Sequence, residues 1–212
     1  MPPEPTADGP FDLQKVQRLR KVAITIIGLV IVVGLLSVGS TWPQGTETHE
    51  LIERCGLLLI AAGIIGRAWC SLYIGGRKRA EIVDTGPYSV SRNPLYMFSF
   101  VAAGGMGAQT GSMTVAVALT LIAVLVFAAT VRREEAWLSA AFGQGYSDYC
   151  SRVPRFIPDF RLWRSEDTLE VRPVFFVRTL GDGLFFLLAI PLFEGIDWAH
   201  ISGWLPVVLR LP

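Results

Sequence analysis

The chain has 212 residues, of which 51% are hydrophobic and only 17% are charged. Because a soluble domain typically carries about a quarter charged residues, this composition favours a single-domain polytopic membrane protein. The net charge of +1 argues against a nucleic-acid-binding protein, and three cysteines and two histidines provide neither a disulfide framework nor a metal-spaced cluster. We therefore expect neither a nucleic-acid partner nor a metal.

The N-terminal residues 1–21 are predicted to form a cytoplasmic tail. Met1 to Asp12 are polar and rich in proline, and a basic stretch, KVQRLRK, follows them. The apolar run from about Val22 to Gly39 lacks a clear signal-peptide cleavage site, which predicts a retained first span. Residues 22–212 are expected to form one membrane-embedded domain.

Four further apolar runs predict additional membrane spans. They lie at about Ile52–Gly75, Leu95–Gly107, Val115–Val131 and Thr179–Ile196. The run from Leu95 is short and rich in Gly and Ala, so it is predicted to form a tight helical hairpin with the run that follows it. The resulting prediction is an all-α polytopic membrane protein with about five transmembrane helices.

Positive charges are concentrated in the N-terminal tail, in the loop before the third span and in the segment after the fourth span. The loops on the other side contain almost no Lys or Arg. The positive-inside rule therefore predicts a multi-pass protein of the cell (inner) membrane with its N-terminus in the cytoplasm and its C-terminus outside. The final residues, WLPVVLRLP, are too short to span, and the sequence leaves open which leaflet they occupy.

The segment GPYSVSRNPLY, Gly86 to Tyr96, precedes the third span on the predicted cytoplasmic side. Asn93 and Pro94 predict an extended residue before a helix that proline opens, and the N–H groups of such a helix suit a carboxylate or phosphate. Arg92 and Tyr88 add a cation and an aromatic donor. Taken alone, the segment is more typical of a simple turn.

A second polar block, Arg132 to Pro158, follows the fourth span. Glu134 and Glu135 are adjacent carboxylates near lipid, where burying their charge is costly unless they face cations. This pair is consistent with a functional site, and the alternative interpretation is a solvated helix end. Aromatic residues from Trp137 onward continue an apolar face at helical spacing. Singly, these aromatic residues are more typical of an interfacial anchor than of a ligand site.

Together the two blocks resemble the isoprenylcysteine carboxyl methyltransferase and phospholipid methyltransferase family of integral-membrane enzymes. Members typically read GPYxxxRHPxY and then EExxLxxxFGxxYxxYxxxVxRxxP, and the resemblance covers roughly Gly56 to Pro158. The residues that match the first motif are Gly86, Pro87, Tyr88, Arg92, Pro94 and Tyr96. Those that match the second motif are Glu134, Glu135, Leu138, Phe142, Gly143, Tyr146, Tyr149, Val153, Arg155 and Pro158. The usual histidine of the first motif is Asn93 here, which can hydrogen-bond but cannot titrate.

The resemblance implies a methyltransferase whose cofactor, S-adenosylmethionine, lies in a cytoplasmic pocket closed by amphipathic helices after the fourth span. The carboxylates suit the ammonium group or ribose hydroxyls of that cofactor, whereas a cation and helix N–H groups suit its carboxylate, and aromatic rings suit adenine. The cofactor-binding residues expected on this basis are Tyr88, Arg92, Asn93, Pro94, Leu95, Tyr96, Glu134, Glu135 and Trp137.

Arg67 lies inside the second apolar run, where an arginine is costly and usually functional. One interpretation places it in the bundle interior, paired with an acceptor carboxylate or with one of the two glutamates. The other interpretation lets its side chain extend to the cytoplasmic interface. Arg67 and Glu134 are the candidate catalytic residues.

The acceptor is expected to be a lipid or a lipid-linked molecule within the surrounding membrane lipids. Methyl transfer is an in-line displacement that depends mainly on positioning, and an acceptor carboxylate is already ionised at pH 7. Among the acceptors that the resemblance implies, an isoprenylcysteine-type carboxylate is favoured. The alternatives are a phospholipid amine, a small thiol, or a non-catalytic lipid-binding membrane module that kept the fold.

Overall fold

The computed structural model describes residues 28–77 and 80–212, and these residues are mostly helical. The helices are α1 (residues 28–35), α2 (Glu47–Ile74), α3 (Pro87–Val90), α4 (Pro94–Ala108), α5 (Met113–Phe142), α6 (Gln144–Arg152), α7 (Pro173–Leu184) and α8 (Ala189–Ile201). Short 3₁₀ turns occupy Phe160–Leu162 and Phe185–Leu188, and the two strands are β1 (Val38–Ser40) and β2 (Leu209–Leu211). The prediction of an all-α membrane protein is confirmed.

Within the described residues, three helical stretches are long and apolar enough to cross a membrane. They are Glu47–Ile74, Met113–Phe142 and Pro173–Ile201, and they contain the predicted second, fourth and fifth spans. Large apolar side chains on their outer faces, such as Leu58 and Leu125, are strongly exposed, as expected of surfaces that contact lipid. These three stretches anchor the protein in the membrane.

The other two predicted spans differ from the expectation of about five full crossings. Helix α4 coincides with the predicted third span, but its 15 residues rise only about 22 Å, less than the roughly 30 Å of a hydrocarbon core. The predicted first span, Val22 to Gly39, begins outside the described residues. Of its described part, residues 28–35 are helical and the chain enters β1 at Val38.

Helix α2 is the centre of the bundle and packs against α4 and α7. Its contact with α4 is close because glycine and alanine face each other: a Cβ added at Gly63 would lie 2.6 Å from the Cβ of Ala102. The contact between α4 and α5 is similar, since a Cβ at Gly107 would lie 2.6 Å from the Cα of Ala116. Small residues thus let the backbones approach, and α4 and α5 form the predicted hairpin.

The C-terminal tail returns to the beginning of α2. Strand β2 pairs in parallel with β1, with Val38 opposite Leu209. The carbonyl oxygen of Pro212 accepts a hydrogen bond of 2.8 Å from the hydroxyl of Ser112, next to the α4–α5 turn. We call this side of the bundle the far end, and the side where α2 ends and α4 begins the motif end. The last residues therefore do not cover the motif end.

Candidate active site

The motif end gathers α3, the start of α4, the last turns of α5 and the whole of α6. Pro94 is the first residue of α4, as its position after Asn93 predicts. Gly86 has a φ of +56°, and a Cβ there would lie 2.2 Å from the ring of Tyr73. Glycine is thus required at the start of the first motif both for its backbone conformation and for space.

Hydrogen bonds join the second motif to the first. The backbone N–H of Arg92 donates to the carbonyl of Pro154 at 2.9 Å, and the hydroxyl of Ser91 donates to the carbonyl of Phe156 at 3.0 Å. The buried hydroxyl of Tyr149 donates to the carbonyl of Tyr88 at 2.8 Å. The segment after α5 therefore folds back over α3 and the start of α4, which brings two distant parts of the sequence into one site.

Glu135 is the centre of the polar network in this site. Its side chain is only 12% exposed, and Oε2 lies 2.6 Å from Nη2 of Arg155. Oε1 accepts hydrogen bonds from Nε of Arg155 at 3.1 Å and from Nδ2 of Asn93 at 3.3 Å, and it lies 3.7 Å from Nη1 of Arg92. Two guanidinium groups and one amide thus compensate the charge of a nearly buried carboxylate.

Asn93 uses its amide group only as a donor in this network. Its Nδ2 donates to Glu135 and, at 3.2 Å, to the backbone carbonyl of Arg155. Both acceptors are satisfied by a neutral N–H group, so this role does not require a residue that titrates. The departure from the family histidine is therefore compatible with the geometry of the site.

A cavity of about 130 Å³ lies beside this network, between α3, α4, α5 and α6. Seven of the expected cofactor residues line it: Tyr88, Arg92, Asn93, Leu95, Tyr96, Glu134 and Glu135. Trp137 is absent from its described lining and makes an edge contact with Phe142, with 6.4 Å between ring centroids. The wall also includes Ile82 and Val83 from the loop after α2, which no sequence motif singled out.

Three tyrosines of the cavity, Tyr88, Tyr146 and Tyr149, are neutral phenols. Burial raises the pKa of the Tyr88 phenol well above its ordinary value, and it likewise raises the pKa values of Tyr146 and Tyr149. The hydrogen bond to Glu135 raises the pKa of the Arg155 guanidinium, so that side chain stays charged. The site therefore combines neutral phenols with a charged guanidinium at Arg155.

Arg67 lies in the bundle interior, below the cavity on the membrane side. Its guanidinium donates to the hydroxyl of Ser99 on α4, and its Cζ lies 5.7 Å from the ring centroid of Phe186. The carboxylate of Asp182 on α7 is near enough to act on its charge. Its Nε is buried and has no hydrogen-bond partner in the part of the chain that the structure describes.

Comparison with known proteins relates the chain to a methyltransferase family and to proteins named for metal resistance. The family model "Phospholipid methyltransferase" matches residues 54–145. The chain is 35% identical to the nickel-cobalt-cadmium resistance protein NccN of Alcaligenes xylosoxydans xylosoxydans over 98% of this chain and 97% of NccN. It is also 35% identical to the cobalt-zinc-cadmium resistance protein CzcN of Cupriavidus metallidurans, over 88% of this chain and 85% of CzcN.

A third relative carries the description of an enzyme. Protein-S-isoprenylcysteine O-methyltransferase B of Arabidopsis thaliana is 27% identical over 54% of this chain and 63% of its own length. No solved structure matches the chain.

Proposed function

Because this chain belongs to the phospholipid methyltransferase family, we propose that it transfers a methyl group from S-adenosylmethionine to a lipid or lipid-linked acceptor. The observation that carries the proposal is the cavity at the motif end, to which both family motifs contribute charged and aromatic residues. The relative described as an isoprenylcysteine O-methyltransferase supports a carboxylate acceptor.

The chemistry of the cavity residues fits the cofactor. Nε of Arg92 is buried and has no hydrogen-bond partner among the described residues, so it suits the carboxylate of S-adenosylmethionine. The positive end of the α4 dipole, which begins at Pro94, favours the same group. Glu134 suits the ammonium group or the ribose hydroxyls, and the rings of Tyr88 and Tyr96 suit adenine.

The volume of the cavity indicates that part of its wall moves when the cofactor binds. Its 130 Å³ is below the roughly 300–1,000 Å³ of pockets that enclose drug-sized ligands. Helices form most of the wall, but residues 81–83 belong to no helix or strand. We expect this loop to shift outward on binding, while the Glu135 network keeps α3, α4 and α5 in place.

The residues of this chain position the reactants and exclude water. When bound, S-adenosylmethionine supplies an electrophilic methyl group on a sulfonium. A carboxylate acceptor would take this methyl group without a general base, and neutral S-adenosylhomocysteine would be the leaving group. Because opposite charges cancel in the transition state, a dry site would favour the transfer. Arg67 lies on the membrane side of the cavity, where its guanidinium can hold and orient the acceptor carboxylate.

Calorimetric titration of S-adenosylmethionine into the detergent-purified chain tests this proposal. We expect binding by the wild type and a loss of about tenfold or more in affinity for Glu134→Gln, because a hydrogen bond to a charged group contributes about 1.5–3 kcal/mol. Glu170→Gln is the matched control, since Glu170 is exposed and does not line the cavity.

Two results would contradict the proposal. Absence of binding by a folded wild type, in detergent and in lipid, would favour the non-catalytic lipid-binding module. Equal affinities of the wild type and Glu134→Gln would remove Glu134 from the site.

We also infer that this activity serves tolerance of divalent transition-metal cations, because NccN and CzcN, which match nearly the whole chain, carry the names of metal-resistance proteins. A host strain that lacks the gene is expected to grow less well in cobalt or cadmium salts, and the wild-type chain is expected to restore growth. Glu134→Gln, expressed at the same level, is expected not to restore it. Full restoration of growth by Glu134→Gln would show that metal tolerance does not depend on methyl transfer.

A further inference from the structure

His49, Glu53 and Asp197 meet at the far end, opposite the candidate active site. His49 and Glu53 are one turn apart near the start of α2, and Asp197 lies on α8. Nε2 of His49 is 3.2 Å from Oε1 of Glu53 and 3.8 Å from Oδ2 of Asp197, and all three donor atoms lie within 4.8 Å of one another. Two helices that are far apart in sequence thus bring one imidazole and two carboxylates together.

The orientation of the His49 ring directs a lone pair at the two carboxylates. Nδ1 lies 2.9 Å from the backbone carbonyl oxygen of Trp42, which only accepts, so Nδ1 carries the proton and donates. In the neutral ring, Nε2 is then an acceptor that faces two other acceptors. This contact is repulsive unless a cation or a proton lies between the three atoms. Histidine ligands of metals are commonly held in this way by a backbone carbonyl.

Asp197 supplies an independent indication that a group belongs between these side chains. Its Oδ2 is buried and has no hydrogen-bond partner among residues 28–77 and 80–212. The side chain is 15% exposed, and that of His49 is 2% exposed, so water solvates these atoms poorly. An unpaired buried carboxylate oxygen is costly, and a bound cation removes that cost.

A cavity of about 200 Å³ adjoins His49 and Asp197 and has room for water ligands of a cation. His49 and Asp197 line it, together with residues of the C-terminal tail such as Val207 and Arg210. The guanidinium of Arg210 donates to the carbonyl of Ser40 at 3.2 Å, which ties the tail to β1. The tail therefore forms one wall of a polar chamber at the far end.

We propose that His49, Glu53 and Asp197 bind one divalent first-row transition-metal cation, such as Zn²⁺ or Co²⁺, with water from the chamber completing its coordination. Bonds of about 2.0–2.1 Å in tetrahedral geometry place donor atoms roughly 3.4 Å apart, close to two of the separations observed here. An imidazole nitrogen with two carboxylate oxygens suits these metals better than Mg²⁺ or Ca²⁺, which prefer oxygen alone.

The cluster lies near the far-end termini of two candidate membrane-spanning stretches, Glu47–Ile74 and Pro173–Ile201. Cation binding there joins α2 to α8 at the far end, whereas the proposed methyl transfer uses the motif end of α2. The proposed cation site and the proposed methyl transfer can therefore be tested and refuted independently.

Titration with Co²⁺, followed by visible absorption, tests the site in the full-length chain after treatment with a chelator. We expect one Co²⁺ per chain, displacement by Zn²⁺ and a higher melting temperature with either metal. Glu53→Gln and Asp197→Asn preserve side-chain shape, and each is expected to weaken Co²⁺ binding at least tenfold. Glu194→Gln is the matched control, because Glu194 is exposed on α8 one turn before Asp197.

The melting temperature of each variant without metal verifies that it folds. A folded wild type that binds neither Co²⁺ nor Zn²⁺ would overturn the proposal and assign the cluster to a proton shared by His49 and Glu53. Equal Co²⁺ affinity of the wild type, Glu53→Gln and Asp197→Asn would overturn it as well. Two cross-titrations distinguish the two ends. Asp197→Asn is expected to bind S-adenosylmethionine normally although its Co²⁺ binding is weakened, and Glu134→Gln is expected to bind Co²⁺ normally although its cofactor binding is weakened.

Discussion

Glu135→Gln is expected to lower both cofactor affinity and the stability of the fold, because this carboxylate holds the two family motifs together. It accepts hydrogen bonds from Arg155 and Asn93 and faces Arg92 at 3.7 Å. A glutamine keeps the shape of the side chain but removes its charge and turns one acceptor into a donor. The guanidinium of Arg92, only 15% exposed, then loses its compensating charge.

The free energy of unfolding is expected to fall by about 2 kcal/mol. Hydrogen bonds to charged groups contribute about 1.5–3 kcal/mol, and the estimate lies in the lower half of this range because solvent screens the half-exposed Arg155. The affinity for S-adenosylmethionine is expected to fall at least tenfold, because Arg92 and Asn93 shift. Thermal denaturation in detergent and calorimetric titration measure the two effects.

The neighbouring variant Glu134→Gln is the matched control for this experiment. We expect it to weaken cofactor binding with a smaller loss of stability, because Glu134 lines the cavity whereas Glu135 holds the network. A double-mutant cycle of Glu135→Gln with Arg155→Gln is expected to give a coupling energy of about 0.5 kcal/mol or more. A coupling energy near zero, with unchanged cofactor affinity, would exclude Glu135 as the organising residue.

Arg67→Lys is expected to reduce use of the acceptor much more than binding of the cofactor. The guanidinium donates to Ser99 on α4 and lies over the ring of Phe186, two contacts that a compact ammonium group cannot reproduce together. With S-farnesylcysteine as the acceptor, we expect kcat/KM to fall about tenfold or more, equivalent to roughly 1.4 kcal/mol. The dissociation constant for S-adenosylmethionine is expected to change less than twofold.

Arg54→Lys on the same helix is the control, because Arg54 is 73% exposed at the opposite end of α2 and pairs with Glu50. It is expected to leave both quantities unchanged. If Arg67→Lys weakens acceptor use and cofactor binding equally, Arg67 supports the fold rather than the acceptor. If it affects neither, the acceptor approaches from another direction.

The apolar runs and the two motifs predicted the helical membrane fold and most of the residues around the cavity. These features are local: about 17–25 apolar residues form a spanning helix, and Pro94 after Asn93 opens α4. The family motif supplied what local patterns lacked, namely that a segment near residue 90 meets one near residue 135. Whether these residues bind the cofactor stays a prediction.

Several side-chain contacts could not be predicted from the sequence, because they depend on how the helices pack. Residue types do not reveal that Trp137 contacts Phe142 and is absent from the described lining of the cavity. The sequence suggests Glu135 as a cofactor residue, but it does not reveal that this carboxylate contacts Arg155, Asn93 and Arg92. Partners of a carboxylate depend on how the chain folds back, which residue types do not encode locally.

Hydropathy and short motifs in this chain thus predict a helical membrane protein that resembles the phospholipid methyltransferase family, because both are carried by residues close together in sequence. The assembly of its far end depends on contacts across the whole chain. His49 meets Asp197 on α8, and β1 pairs with β2, although these partners are separated by well over a hundred residues. Such contacts arise from the packing of whole helices, and the cluster is visible only once the helices are in place.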